Sequence, residues 1–316
     1  MEKLAQNVIR RFTLLGLFLI ICNSYLSGQV KYFIIEPKNE DQKYDLHTYK
    51  LSTKALYGID NSVELYNIVY VNSIYDKHED SEKNLILFSV LPNLEGGSDN
   101  WKEIGLDTIQ SKLLPVGKLK NLFQRNTMSI FSEKYGEKTK YFNEYKIVIK
   151  KEGKYFTPYN CLLQFYAIRN RPEIFSNVYG TINTKLNPVT VLDFELIFES
   201  TYPKTDFPIY TLPNEKYVAT LDRLRDRREY LSKKWKLKDG SSAFQFWTYT
   251  DWHEPDFYYE YERGIDRFIY IPDKGIVGGS FDFYFYYHRQ KLGMTTLDFK
   301  NNIREEKVML AEQYKQ

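Results

Sequence analysis

The side chains best suited to chemistry are concentrated in residues 247–262, where Trp247, Tyr249, Asp251, Trp252, His253, Glu254, Tyr258 and Glu260 interleave rings with carboxylates. Between Asp251 and Glu262 there are five carboxylates and no Lys or Arg, a local charge of −5. Charge of that density calls for a counterion or a partner. Three chemistries suit it. Ring faces can stack on the C–H surface of a sugar while carboxylates accept its hydroxyl hydrogen bonds. Asp251, His253 and Glu254 can contribute to a metal site, and paired carboxylates can act as general acid and base. Against these stands a purely structural loop, since a tyrosine can bury its ring and leave its hydroxyl in water. The four histidines, His47, His78, His253 and His288, are far apart and lack the spacing of zinc motifs. The eight residues are therefore expected to form a ligand surface, extended by Tyr284, Tyr286 and His288, with no metal and no cofactor.

Other reactive groups are sparse. Cys161 is the one thiol with any context, and its apolar neighbours Leu162, Leu163 and Phe165 point to a buried, inert cysteine. The alternative is a thiol nucleophile with His253 as its base. There is no Gly-x-Ser-x-Gly, because Gly97-Ser98-Asp99 and Gly279-Ser280-Phe281 lack the second glycine. A phosphate-cradling glycine loop is also missing. Asp76, His78, Glu79, Asp80 and Glu82 lack the glycine of a calcium loop and read as an exposed turn. From Asp222 to Lys238 the net charge is +5, which suits a solvated helix face, a phosphate-bearing partner, or a surface facing the acidic stretch.

The elements that must position these groups are mixed. Val30 to Ile35, Val63 to Ile74 and Asn84 to Val90 have strand length and composition. Glu144 to Thr157 reads as a hairpin turning at Glu152-Gly153, and Trp235 to Thr250 as another around Asp239-Gly240. Strict alternation predicts a strand over Phe281 to His288, paired with Arg267 to Ile271 across the turn Pro272 to Gly275. Helices are expected at Asn187 to Ser200, capped by Asn187 with Pro188 first. Two more are expected at Asn214 to about Lys234, with a Glu229–Lys233 pair, and at Thr296 to Gln313. The fold class that follows is α+β, an antiparallel sheet strongest in the C-terminal third with several packed helices.

Residues 1–28 have the order of a secretory signal: Lys3, Arg10 and Arg11, then eleven uncharged residues from Phe12 to Cys22, then Ser27 and Gly28 before Gln29. Cleavage is expected after Gly28. A membrane-crossing helix needs about 20 apolar residues. An uncleaved anchor is one alternative. A lipoprotein is another, although Cys22 follows Leu19, Ile20 and Ile21 rather than a small residue. Beyond Gly28 the chain has 41 basic and 40 acidic residues, a balance that gives no bulk attraction to nucleic acid. Residues 29–316 are expected to form a single domain, with a sub-boundary, if any, near the prolines of residues 200–213. With 43% hydrophobic residues and 53 aromatics the chain is neither disordered nor a disulfide scaffold. The expected function is an exported, periplasmic or envelope-associated bacterial protein that binds a glycan or an envelope protein, meeting the membrane only through its N-terminal segment. A secreted hydrolase using Cys161 or a carboxylate pair, and a subunit of an envelope assembly, are the alternatives.

Overall fold

A strand buried on both faces needs apolar residues at every position, and the runs Lys83–Leu91 and Asn160–Ile168 have that character. They form neighbouring strands in the middle of the protein. The computed structural model describes residues 30–35, 44–71, 83–97, 99–119, 122, 140–168, 170, 180–204, 229–248 and 264–315. Their strands make three sheets. The first sheet has the order β1-β7-β8-β5, from Lys31–Ile34, Tyr145–Lys151, Lys154–Pro158 and Trp101–Glu103. The second has the order β10-β9-β4-β3-β2, from Thr181–Ile182, Asn160–Ile168, Lys83–Leu91, Ser62–Val71 and Asp45–Ser52, with β6 (Lys140–Phe142) also paired to β9. The third has the order β11-β12-β13-β14-β15, from Glu229–Lys236, Ser242–Thr248, Arg267–Ile271, Gly275–Ser280 and Met309–Leu310.

The second sheet is the middle layer. Tyr66, Ile68, Phe88, Cys161 and Leu163 on one face pack with Phe33, Ile147 and Ile149 of the first sheet. Leu65, Leu85, Leu87, Leu162 and Tyr166 on the other face pack with Phe246, Phe268 and Ile276 of the third. Period-two alternation thus sends successive side chains into two different cores.

The protein is therefore predominantly β, and the expected α+β class with several packed helices is wrong. The helices α1 (Lys54–Tyr57), α2 (Leu106–Ile109), α3 (Val191–Thr201), α4 (Asp282–Tyr287), α5 (Arg289–Leu292) and α6 (Thr296–Arg304) are short, α3 being the longest at 11 residues. Three local expectations fail with it. Phe281 to His288 is not a strand but contains α4, since Phe and Tyr alternate in type while every ring from Phe283 to Tyr286 is buried. The hairpin partner of Arg267–Ile271 is instead Gly275–Ser280. The helix expected to reach Lys234 gives way at its described end to β11, because pairing with Ser242–Thr248 outweighs local helix propensity. The C-terminal helix stops at Arg304 rather than Gln313. There the Glu306 carboxylate accepts from Val191 N at 2.6 Å and from the Ser232 hydroxyl, so the chain turns back toward β15. α3 begins at Val191, capped by Thr190 rather than Asn187, with Thr190 and Asp193 in a reciprocal capping box. Both hairpins, at Glu152-Gly153 and Asp239-Gly240, form as expected.

Two buried carboxamides attach the third sheet to the second. Asn67 of β3, with 0% of its surface exposed, accepts from Ile276 N at 2.8 Å and donates to Ile276 O at 3.0 Å. Gly275 lies against it at φ +82°, and a Cβ there would stand 2.6 Å from Asn67 Oδ1. An unpaired buried amide group costs about 1–3 kcal/mol. Asn67→Ala leaves both backbone groups of Ile276 unpaired, and is expected to lower unfolding free energy by about 3 kcal/mol in urea titration.

Candidate functional site

Gln164 is the polar interruption in the apolar strand β9, on the face turned to the third sheet, and it is 2% exposed. A group so buried must find partners. Its Oε1 accepts from Ile265 N at 3.1 Å and its Nε2 donates to Tyr166 Oη at 3.1 Å. Gly264, at φ +87°, lies so close that a Cβ would collide with the Gln164 amide. Lys140 of β6 stands opposite Gln164 in register and is buried.

Glu229, the first residue of β11, lies beside this group and is 1% exposed. Its carboxylate accepts from Gly180 N at 3.0 and 2.8 Å and from Thr181 N at 3.2 Å. Burial pushes its pKa up to about 7, against the opposing pull of the Gly180 amide and the Lys140 charge. The Tyr166 phenol is raised by burial and then by the charges of Glu229 and Asp266. Asp266 closes the cluster: its carbonyl accepts from Thr248 N at 2.9 Å and its carboxylate from Phe283 N at 3.4 Å.

Next to Asp266, Arg267 enters a second buried network. Its guanidinium meets the Asp282 carboxylate at 2.6 Å and donates from Nε to Lys307 O at 3.0 Å. Tyr57 Oη donates to the same carboxylate at 2.9 Å and accepts from Phe281 N at 2.8 Å. Burial raises the Asp282 pKa despite the Arg267 charge. These bonds tie α1, α4 and β13 together.

Four segments of the chain return at one place. Lys140 pairs with Gln164, Gly180 O accepts from Ala167 N at 2.7 Å, Glu229 holds Gly180, and Gly264 rests on Gln164. Lys140, Gly180, Glu229 and Gly264 therefore gather at residues 164–167 of β9. This rim is the candidate site.

Of the eight residues expected to bind ligand, Tyr249, Asp251, Trp252, His253, Glu254, Tyr258 and Glu260 lie outside the described residues. Trp247 is described, and it is not a ligand surface. It is 1% exposed, donates from Nε1 to Val189 O at 2.8 Å and stacks on Tyr230 with centroids 4.7 Å apart. Tyr284 and Tyr286 are likewise buried, the Tyr284 hydroxyl donating to Pro92 O and accepting from Asn160 Nδ2 at 3.0 Å. His288 is partly exposed.

Cys161 is fully buried in β9 on the face turned to the first sheet, opposite to that of Gln164. Burial pushes its thiol up to about 12. The thiol hydrolase needs a thiolate and gains no support from this placement. Among the described residues no group of three His, Cys, Asp or Glu is placed to hold a metal ion. The sequence reading missed Gln164, Lys140 and Glu229. The first left a signal, a lone amide in an apolar run; Glu229 was assigned to Lys233, which instead pairs with Glu306 at 3.2 Å. Set against protein-family models, curated proteins and solved structures, the chain matches none.

Two outcomes follow. Because folded Glu229 keeps its proton to about pH 7 whereas an unfolded glutamate loses it near 4.5, folding stability falls as pH rises between those values. The fall is about 3 kcal/mol, and Glu229→Gln should remove that slope in denaturant titrations across the window. Native Cys161 should resist a thiol reagent at pH 8 and react fully in denaturant, measured by mass spectrometry.

Proposed function

We propose that this is an exported component of the bacterial cell envelope that binds a glycan through residues 249–263. The reading is carried by how that segment is mounted. Eighteen residues, 249–266, join β12 to β13, two adjacent antiparallel strands. Hairpin connections ordinarily take about 2–5 residues, and much longer ones are commonly functional or linkers. Both stems are held by buried bonds, Thr248 N to Asp266 O at 2.9 Å and Ile265 N to Gln164 Oε1 at 3.1 Å. A sugar can use the ring of Trp252 and the carboxylates of Asp251 and Glu254, in line with the ring-and-acceptor logic of such sites. The negative charge of the segment favours neutral glycans over acidic ones. Residues 1–28 supply the export signal, and the body is a binding module rather than an enzyme.

A second reading, a subunit of an envelope assembly, is favoured by α3, where Leu192, Leu196 and Ile197 are exposed at 41%, 57% and 61%. A thermal-shift panel of neutral oligosaccharides separates the two. A ligand at 100 times its Kd should add about 2.7 kcal/mol of stability, and Trp252→Ala or Glu254→Ala should abolish the rise. A panel in which no glycan stabilises the protein overturns the binding reading in favour of the assembly one.

A further inference from the structure

The chain leaves α3 at one end and returns at the other. After Thr201 it passes through Tyr202, whose N–H donates to Phe198 O at 2.8 Å and whose ring centre lies 5.1 Å from that of Phe198. Beyond Lys204 the next described residue is Glu229, the first of β11. That point of return is fixed beside the start of α3. Val189 N donates to Leu231 O at 2.8 Å, and the Tyr230 ring lies 5.3 Å from that of Phe194. Residues 205–228 therefore join the C-terminal end of α3 to its N-terminal end. The helix between those ends has 11 residues, a length of about 16 Å.

The outer side of α3 is apolar and acidic. Val191, Glu195 and Phe198 are turned inward, whereas Leu192, Leu196 and Ile197 are exposed, three of the five large apolar side chains so placed among the described residues. A concentration of this kind marks a face that takes a partner. α3 also carries Asp193, Glu195 and Glu199 and no Lys or Arg. The connecting segment has the complementary residues. Val218, Leu221 and Leu224 recur at the spacing of one helical stripe, and Lys216, Arg223, Arg225, Arg227 and Arg228 outnumber Glu215, Asp222 and Asp226. Asn214, directly after Pro213, is a residue type that caps a helix, and a helix from there to Arg228 is long enough to span α3.

We propose that the outer face of α3 is the docking surface for residues 214–228 of the same chain, which lie antiparallel to it with Val218, Leu221 and Leu224 on Leu192, Leu196 and Ile197. Three observations select this occupant. The two described ends deliver the segment to this helix and to its two opposite termini. Its charge is opposite to that of α3, whereas the α3 faces of two copies would bring like charges together. The same carboxylates disfavour an anionic lipid surface. With the segment in place the apolar face of α3 is satisfied within the chain. The exposure that favours the assembly reading is then taken up, and the glycan reading does not depend on it.

The test is disulfide trapping in the full chain, in a Cys22→Ser background with Cys161 buried. Leu196→Cys combined with Leu221→Cys should close an intramolecular disulfide, read as a cross-linked peptide by mass spectrometry. Lys154→Cys of the first sheet combined with Leu221→Cys should not. Ile197→Cys alone should react with a polar maleimide about tenfold more slowly than the exposed Lys154→Cys. Replacing Val218, Leu221 and Leu224 by Ser should restore the fast rate while unfolding stays cooperative. The proposal is overturned by absence of the Leu196→Cys bond, by equal trapping at Lys154→Cys, or by a bond formed between two copies, which would assign the face to a second copy. It is also overturned by a triple variant that leaves the rate unchanged, or by an Ile197→Cys that reacts fast until phosphatidylglycerol vesicles are added, which would assign the face to a bilayer.

Discussion

The attachment of the third sheet to the middle one rests on two side-chain amides, Asn67 and Gln164, gripping main chain from the layer above. Apolar packing between sheets is strong but tolerant of sliding, because it has no direction. An amide bonded to Ile276 or Ile265 removes that freedom, since a shift of one residue would leave buried donors and acceptors unpaired. The two contacts stand at opposite ends of the β13–β14 hairpin, one before β13 and one at the start of β14. Gly264 and Gly275 allow the approach, both in the left-handed region and both too close to an amide for a side chain.

Buried charge completes the same interface. The Arg267–Asp282 pair, with Tyr57 and Asp266 around it, lies where desolvation is most costly, so its net contribution to stability is small compared with the cost of breaking it. Its evident effect is positional: β13, α1 and α4 converge on it with one geometry. Glu229 does similar work between β10 and β11, its carboxylate replacing the partners that the Gly180 and Thr181 amides would otherwise lack. A perturbed carboxylate can mark catalysis. Here the two backbone donors, Gly180 N and Thr181 N, account for its placement without a substrate. At one rim of the middle sheet Lys140, Gly180, Glu229 and Gly264 gather around residues 164–167 of β9.

Local pattern was sufficient for the strands Lys83–Leu91, Tyr145–Lys151 and Lys154–Pro158, and for both hairpin turns, because period-two burial and turn residues act between near neighbours. Cys161, set among apolar residues, was legible as buried for the same reason. The α4 helix was not, since Phe and Tyr are both ring-bearing and their alternation mimics a strand even when every position is buried. Nor was β11, whose Leu231 and Trp235 fit a helical stripe until Ser242–Thr248 pairs with them. By itself the sequence determined the strand-rich cores, the acidic and basic stretches and the signal-like start. Only the tertiary structure decided that Trp247 is core, that Gln164 holds Ile265, and that Glu229 holds Gly180 and Thr181. Those outcomes depend on register between residues distant in the chain, which no local spacing records.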